Sequence, residues 1–241
     1  MPQLPTLLEM LKAGMHFGHQ TSKWHPKMRP FIYTSRQGIH ILDLEKTAHE
    51  LDRALNFLRE VTASGGTVLF TSLKDQANEI TKEAATKCGM PYIIERWLGG
   101  VFTNFGVISK LLRRLDQLEA EKLGGIWEKK YSKKEQLNIS RDFDKLNITV
   151  GGIRNLTKLP QAIFLVGTRE AKHAIREAKK VGVPIVAIVD TNTNPTEVDY
   201  AIPANDDALR SIQLIMNLVV AAVTEGKQQI RQPEPAIKSV V

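Results

Sequence analysis

The sequence predicts an α/β chain: a doubly wound, mostly parallel sheet interrupted by an inserted antiparallel coiled-coil helical hairpin. Three observations carry this reading. From Gly65 onward, short runs rich in Val and Ile alternate with amphipathic segments, and strands without polar alternation are what a parallel sheet covered on both faces requires. Between about Thr103 and Leu159 the pattern changes to heptad-like spacing in two consecutive segments. Ahead of both lies a stretch, residues 10–42, that contains no Asp or Glu.

In chain order, Leu4, Leu7, Leu8 and Leu11 fall at helical spacing, which predicts a short helix ending at Gly14 with its apolar face docked on the body or on a partner. Residues 31–33 and 39–42 read as short strands around the turn residue Gly38. Asp43 can cap a helix over 45–63, whose Leu51, Ala54, Leu55, Leu58 and Val61 make one face. A strand over 67–72, a helix over 76–87 and a strand over 92–95 follow. After the interruption the alternation resumes with a strand over 162–166, a helix over 170–180, strands over 185–189 and 200–202, and a last helix from Asp206 to about Glu225.

Within the interruption, Ile108, Leu111, Leu115 and Leu118 are spaced 3-4-3, and Ile139, Phe143, Leu146, Val150 and Ile153 are spaced 4-3-4-3. Two such seams joined by a short loop, GGIWEKKYS, describe a hairpin with arms roughly 25 to 30 Å long. Lys122 ends the first arm. The second is weaker, because Asn147, Ile148 and Thr149 are poor helix formers and Gly151 and Gly152 break it. The expected organisation is therefore a core of residues 1–102 and 160–226, an insertion of 103–159, and a flexible tail of 227–241 with two prolines and no periodic apolar face.

The net charge of +7 is unevenly spread: residues 101–160 hold 12 Lys and Arg against 7 Asp and Glu, whereas residues 161–241 are balanced at 9 against 9. Cys88 is the single cysteine, which excludes an intrachain disulfide and a cysteine cage for zinc, and fits a reducing compartment. No apolar run approaches the roughly 20 residues of a membrane span, and MPQLPTLLEM is too acidic and short for a secretory signal. A soluble, intracellular protein without a membrane partner is expected.

The acid-free stretch carries Lys12, Lys23, Lys27, Arg29 and Arg36, four histidines (His16, His19, His25, His40) and the aromatics Phe17, Trp24, Phe31 and Tyr33. An anionic partner is the simplest reason for such a run, since phosphates neutralise a surface that otherwise repels itself. Trp24 and Tyr33 would add stacking on exposed bases. The bland alternative is a solvated basic loop with its aromatics turned into a core.

A doubly wound sheet also invites a nucleotide-dependent enzyme, but neither G-x-G-x-x-G nor G-x-x-x-x-G-K-[ST] occurs, and the turns GTREAK and LKDQAN lack the glycines that admit a pyrophosphate. A G-x-S-x-G elbow is absent too. The chain reads as a non-enzyme without a cofactor. The spacing of His16, His19 and His25 suggests metal ligands, yet five neighbouring cations make them poor ones, so phosphate or base contact is expected and no metal. Arg96 follows a strand at the carboxyl end of the sheet and suits a phosphate, while Trp97 suits packing. Asp190 closes a strand and Asp206 and Asp207 open the last helix. Asp206 is expected to cap it, and three convergent carboxylates can also hold a cation or a partner's amine.

Taken together, AGMHFGHQTSKWHPKMRPFIYTSRQGIHILDLEKT, ERWLGGVFTNF, VPIVAIVDTNTNP and IPANDDALRSI closely resemble the bacterial family of small-ribosomal-subunit protein two, over nearly all of residues 5–226. The resemblance implies a Rossmann-like α/β domain with an inserted coiled coil, and a structural, non-catalytic protein of the cytoplasmic ribosome. It implies binding to small-subunit ribosomal RNA through the basic loop and the hairpin. The matching positions are His16, Gly18, His19, Gln20, Thr21, Trp24, Lys27 and Pro30, with Arg96, Thr103 and Asn104 in the second motif; the cations Lys23, Arg29 and Arg36 of the basic stretch and Lys110, Arg113 and Arg114 of the first arm are expected to join the polar ones among them on the RNA. It further implies neighbouring small-subunit proteins as partners, including the large first protein that helps capture messenger RNA, rather than a homo-oligomer. Asp190, Asp206 and Asp207 are the residues expected to face that partner.

Overall fold

The computed structural model describes residues 4–230. Its centre is a five-stranded parallel sheet of β4 (Val68–Ser72), β5 (Tyr92–Ile93), β6 (Ala162–Val166), β7 (Ile185–Val189) and β8 (Tyr200–Pro203), in the spatial order β5-β4-β6-β7-β8. All five residues of each of β4, β6 and β7 are buried, as the unbroken apolar runs predict. Successive side chains serve opposite faces. Val68, Phe70, Phe164, Val166, Val186 and Ile188 join one apolar cluster, and Leu69, Ile163, Leu165, Ile185, Ala187 and Val189 join the other.

Helices α2 (Leu44–Ala63), α3 (Asp75–Lys87) and α8 (Leu209–Ile230) cover the first face. Asp43 caps α2 as expected, its carboxylate accepting from the amides of Glu45 and Lys46. Helix α7 (Lys172–Val181) and the insertion cover the second face. Mixed α/β architecture with both faces of a parallel sheet covered fits a Rossmann-like fold.

The insertion contains α4 (Phe105–Leu123), α5 (Ile126–Lys130) and α6 (Lys133–Val150). In α4 the buried residues are Ile108, Leu112, Leu115 and Leu118, so Leu112 takes the inward place expected of Leu111. The connection expected as a short loop is partly helical: α5 buries Trp127 edge-on against Phe143, ring centroids 6.3 Å apart. A capping box from Ser132 and Glu135 starts α6, which holds its helix through Asn147, Ile148 and Thr149 because Phe143 and Val150 are buried against the rest. Packing here outweighs propensity.

Four expectations are corrected. Helix α1 (Leu7–Lys12) buries Met10, Leu4 ahead of it packs against the core, and Leu7, Leu8 and Leu11 are left about half exposed, so of the two expected seats for the apolar face, body or partner, the body is not the one these three leucines take. A strand not foreseen, β1 (Phe17–Gln20), pairs with β3 (Ile39–Leu42), which also pairs with β2 (Ile32–Arg36), making an antiparallel three-stranded sheet in the order β1-β3-β2. The last helix starts later and runs further than expected. Lys227 lies inside α8 and donates to the carbonyls of Cys88 and Gly89 at 2.6 and 3.1 Å, so the segment expected as tail is helical as far as Ile230, and residues 231–241 lie outside the described residues. Helix α8 is also long and apolar enough by composition to cross a membrane, which a search for uninterrupted runs passes over. Its Ile212, Ile215, Met216, Val219 and Val223 are instead buried in the core beside α2.

Candidate nucleic-acid interface and carboxylate cluster

The antiparallel sheet sits against the carboxyl ends of β7 and β8. Asn205 N donates to Met15 O, His25 N to Thr191 O, and His19 N to Thr191 Oγ1, the last at 2.8 Å. Gly18 allows this approach, since any Cβ there would overlap the side chain of Thr191. The sheet and its 3₁₀ segments thereby hold residues 12–36 on the surface.

On that surface Lys12, Gln20, Thr21, Lys23, Lys27, Arg29 and Arg36 are exposed. Lys27 alone among these cations is tied down, donating from Nζ to Thr196 Oγ1 at 3.0 Å. Tyr33 is 77% exposed and Phe17 47%, whereas Trp24 is half-buried against His40 with ring centroids 5.2 Å apart. Tyr33 and Phe17 therefore stay outside the core, whereas Phe31 packs against it and Trp24 packs on His40. His16 is half-buried beside Phe17, and desolvation by burial lowers its pKa.

Further along, Arg96, Thr103, Asn104, Lys110, Arg113 and Arg114 are exposed. Trp97 is buried, as expected. Arg96 lines a crevice of about 430 Å³ with Leu73, Glu95, Trp97 and His173 at the carboxyl end of the sheet. Thr103 is less free than the sequence suggests, because its hydroxyl reaches Glu177.

The three aspartates converge, as expected of Asp190, Asp206 and Asp207, but a lysine and a histidine join them. Lys74 Nζ lies 2.6 Å from both Asp206 Oδ1 and Asp207 Oδ1. The His19 ring lies between the others, Nδ1 3.1 Å from Asp190 Oδ2 and Nε2 3.3 Å from Asp207 Oδ2. The structure thus brings His19, expected on the RNA face, into the carboxylates with both ring nitrogens engaged. Asp206 does not cap α8. The backbone amides of Asp207 and Ala208 donate to Asn205 Oδ1 at 2.8 and 3.0 Å, leaving Asp206 buried for Lys74.

The electrostatics follow from these contacts. The hydrogen bond and charge of Asp190, helped by Asp207 and Asp206, raise the His19 pKa against a desolvation that lowers it. Burial, then the charge of Asp190, pushes Asp206 up to about 6 despite Lys74. For Lys74 desolvation is the largest single influence and lowers its pKa, but the two aspartates together outweigh it and the net shift is upward. Asp190 Oδ1 accepts from Thr191 N at 2.5 Å and from Thr191 Oγ1 at 3.1 Å. Among the described residues, His19, Asp190 and Asp207 bring one imidazole nitrogen and two carboxylate oxygens within 4.8 Å of one another, a donor set able to hold a divalent cation.

Sequence reasoning missed Lys74, Thr191, Asn205 and Glu177. Lys74 was discoverable by the rule applied to Asp190, because it lies just past the carboxyl end of a strand. The others act through pairings 74 or more positions apart or through a turn ahead of α8 rather than a cap at the expected residue, and carry no local signal.

Among curated proteins, the chain is 48% identical to small ribosomal subunit protein uS2 of Acidothermus cellulolyticus over 221 residues, 92% of this chain and 80% of the relative. It is 49% identical to uS2 of Mycobacterium ulcerans over 223 residues, with the same coverage, and 47% identical to uS2 of Thermobifida fusca over 226 residues, 94% of this chain and 77% of the relative. The family model described as ribosomal protein S2 matches residues 10–226, which takes in the basic sheet, the parallel sheet, the insertion and the carboxylate cluster, and the chain therefore belongs to the ribosomal protein S2 family.

Proposed function

We propose that the protein is a structural constituent of the small ribosomal subunit in the cytoplasm, without catalysis, held on small-subunit ribosomal RNA by its basic sheet. The observation that carries this reading is the display of Lys23, Lys27, Arg29 and Arg36, all exposed, from a stretch without a single carboxylate. Such a surface gains from phosphate neutralisation and reads shape rather than sequence. The insertion acts as an antiparallel coiled-coil hairpin, its apolar residues continuous with the cluster on the second face of the sheet, that offers Lys110, Arg113 and Arg114 to the same RNA, while Arg96, Thr103 and Asn104 meet it at the hairpin's root. The curated relatives are named as small-subunit proteins, which supports the assignment. Co-sedimentation with small subunits at moderate salt tests it: the protein should pellet with them in a salt-dependent manner, and free protein in the supernatant throughout would overturn it.

The carboxylate cluster is proposed to face a protein neighbour, the large first protein of the subunit, through that protein's cations or through a shared divalent metal. Asp207, the exposed carboxylate of the three, does not favour RNA, and the turn leading into α8 is already held by Asn205 Oδ1 through the amides of Asp207 and Ala208. Asp190→Asn combined with Asp207→Asn keeps the shapes while removing charge. Affinity for the purified partner should fall while RNA binding persists; unaltered affinity, with and without chelator, would reduce the cluster to an internal structural feature.

A further inference from the structure

Residues 96–104 leave β5, turn across the carboxyl end of the sheet and enter α4, carrying Arg96, Thr103 and Asn104. No side chain of this segment caps α4, since Asn104 at the cap position makes no such bond. Its donors go instead to one carboxylate on α7. Glu177 Oε1 accepts from Trp97 Nε1 at 3.2 Å and from Gly100 N at 2.7 Å. Glu177 Oε2 accepts from Phe102 N at 3.0 Å and from Thr103 N and Thr103 Oγ1, both at 3.3 Å. Five donors from four residues thus converge on two oxygens, and Gly100, at φ +96°, takes the left-handed turn that aims its amide inward. Desolvation raises the Glu177 pKa, but the donors of Gly100, Phe102, Trp97 and Thr103 outweigh it, so the net shift is downward and the group stays ionised.

We propose that Glu177 is a positioning residue for RNA binding: its carboxylate holds the 96–104 segment on α7, and so sets where Arg96, Asn104 and the root of α4 meet the RNA. The proposal rests on the basic-face reading above. Glu177 itself contacts no RNA in this scheme. It acts through the loop, anchored on a helix whose Ala174, Ile175 and Ala178 are fixed in the core. The carboxylate takes the donors of the turn ahead of α4, and α7 and the start of the insertion are joined at this point.

The test uses the full chain with Glu177→Gln, which keeps the shape but turns an amide NH₂ toward donors in either orientation, and Glu177→Asp, which keeps the charge but falls one methylene short. Amide exchange at Gly100, Phe102 and Thr103 should accelerate roughly tenfold or more in the glutamine variant. Affinity for small-subunit ribosomal RNA, measured well below the melting temperature, should fall by about tenfold, with a smaller loss for aspartate. The log–log salt slope should flatten by up to about one if Arg96 leaves its phosphate. A role confined to stability would lower the melting temperature and leave affinity and slope unmoved, which overturns the proposal, as does unchanged exchange. Lys27→Ala with Arg29→Ala is measured in parallel. If that pair weakens binding and Glu177→Gln does not, only the positioning role falls; if neither does, the RNA reading falls with it.

Discussion

On the basic face, Lys23, Lys27, Arg29 and Arg36 make no ion pair among the described residues, whereas in the adjoining cluster Lys74 lies 2.6 Å from Asp206 and Asp207, and the His19 ring, charged when protonated, lies within 3.3 Å of Asp190 and Asp207. The two regions share strand β1, which carries Gln20 outward and His19 inward. What separates them is burial. A solvated cation costs the fold little and keeps its charge for a partner, while Asp190 and Asp206, both nearly inaccessible, must be paired to be buried at all. One region therefore keeps its charges in solvent, while the other pairs its buried carboxylates within the fold and leaves Asp207 half exposed.

That contrast is most sharply broken by removing the cation of the cluster. Lys74→Met should destabilise the protein by about 3 kcal/mol at pH 7.5, because it strands the buried Asp206. A carboxyl whose folded pKa is raised to about 6 from an ordinary 3.8 weighs against folding increasingly as pH rises between those values. Losing Lys74 raises it further, so the loss should shrink markedly at pH 5, where Asp206 is protonated. Urea unfolding at the two pH values decides; a loss independent of pH would mean that the lysine matters through its packed stem.

Joining the two regions is the close approach of Gly18 to Thr191. Gly18→Ala should cost about 1–3 kcal/mol by overpacking, and Gly18→Ala combined with Thr191→Ser should recover part of it. Strict additivity in that cycle would place the strain elsewhere.

Substitutions on the basic face should do the reverse of those in the cluster. Lys27→Ala and Arg29→Ala should each change stability by less than about 0.5 kcal/mol. Each should flatten the log–log salt dependence of RNA binding by about 0.7–0.9. An unchanged slope in the double variant would move the RNA surface away from residues 23–36.

The smallest effect lies in two histidines three residues apart. His19 should titrate above its ordinary 6.5 and His16 below it, followed by their ring proton resonances. The stabilisation from His19 is complete below 6.5 and is lost as pH rises through its raised folded value. Asp190→Asn should bring His19 down and leave His16 in place; equal movement of both would indicate a general change in the sheet.

Periodicity alone located β6 and β7 to the residue, since a strand buried on both faces must be apolar throughout and nothing else in that segment competes. It also located α2 and its cap, because Asp43 acts on amides two and three residues away. On α1 it did not say which seat the apolar face takes: Leu4 packs on the core, Leu7, Leu8 and Leu11 are half exposed, and the helix residue buried is Met10. Spacing reports that a helix has an apolar side, not that a neighbour lies there. Strand β1 was invisible because Phe17–Gln20 contains a glycine and two polar residues and is held by pairing with β3.

In the candidate site the same division holds. An acid-free run of cations is a property of the chain whatever its fold, so the sequence by itself determined that residues 10–42 are basic and that no phosphate loop accompanies the sheet. It also placed the three aspartates at strand and helix ends, where the carboxyl edge of a parallel sheet gathers them. Only the tertiary structure decided which charges neutralise one another. Lys74 reaches Asp206 across 132 positions, His19 enters between Asp190 and Asp207, and Glu177 gathers donors from 74 to 80 positions away. Such pairs depend on where two distant backbones come to rest, and a hydrogen bond or ion pair that forms only within a few ångströms leaves no trace in the spacing of residues along the chain.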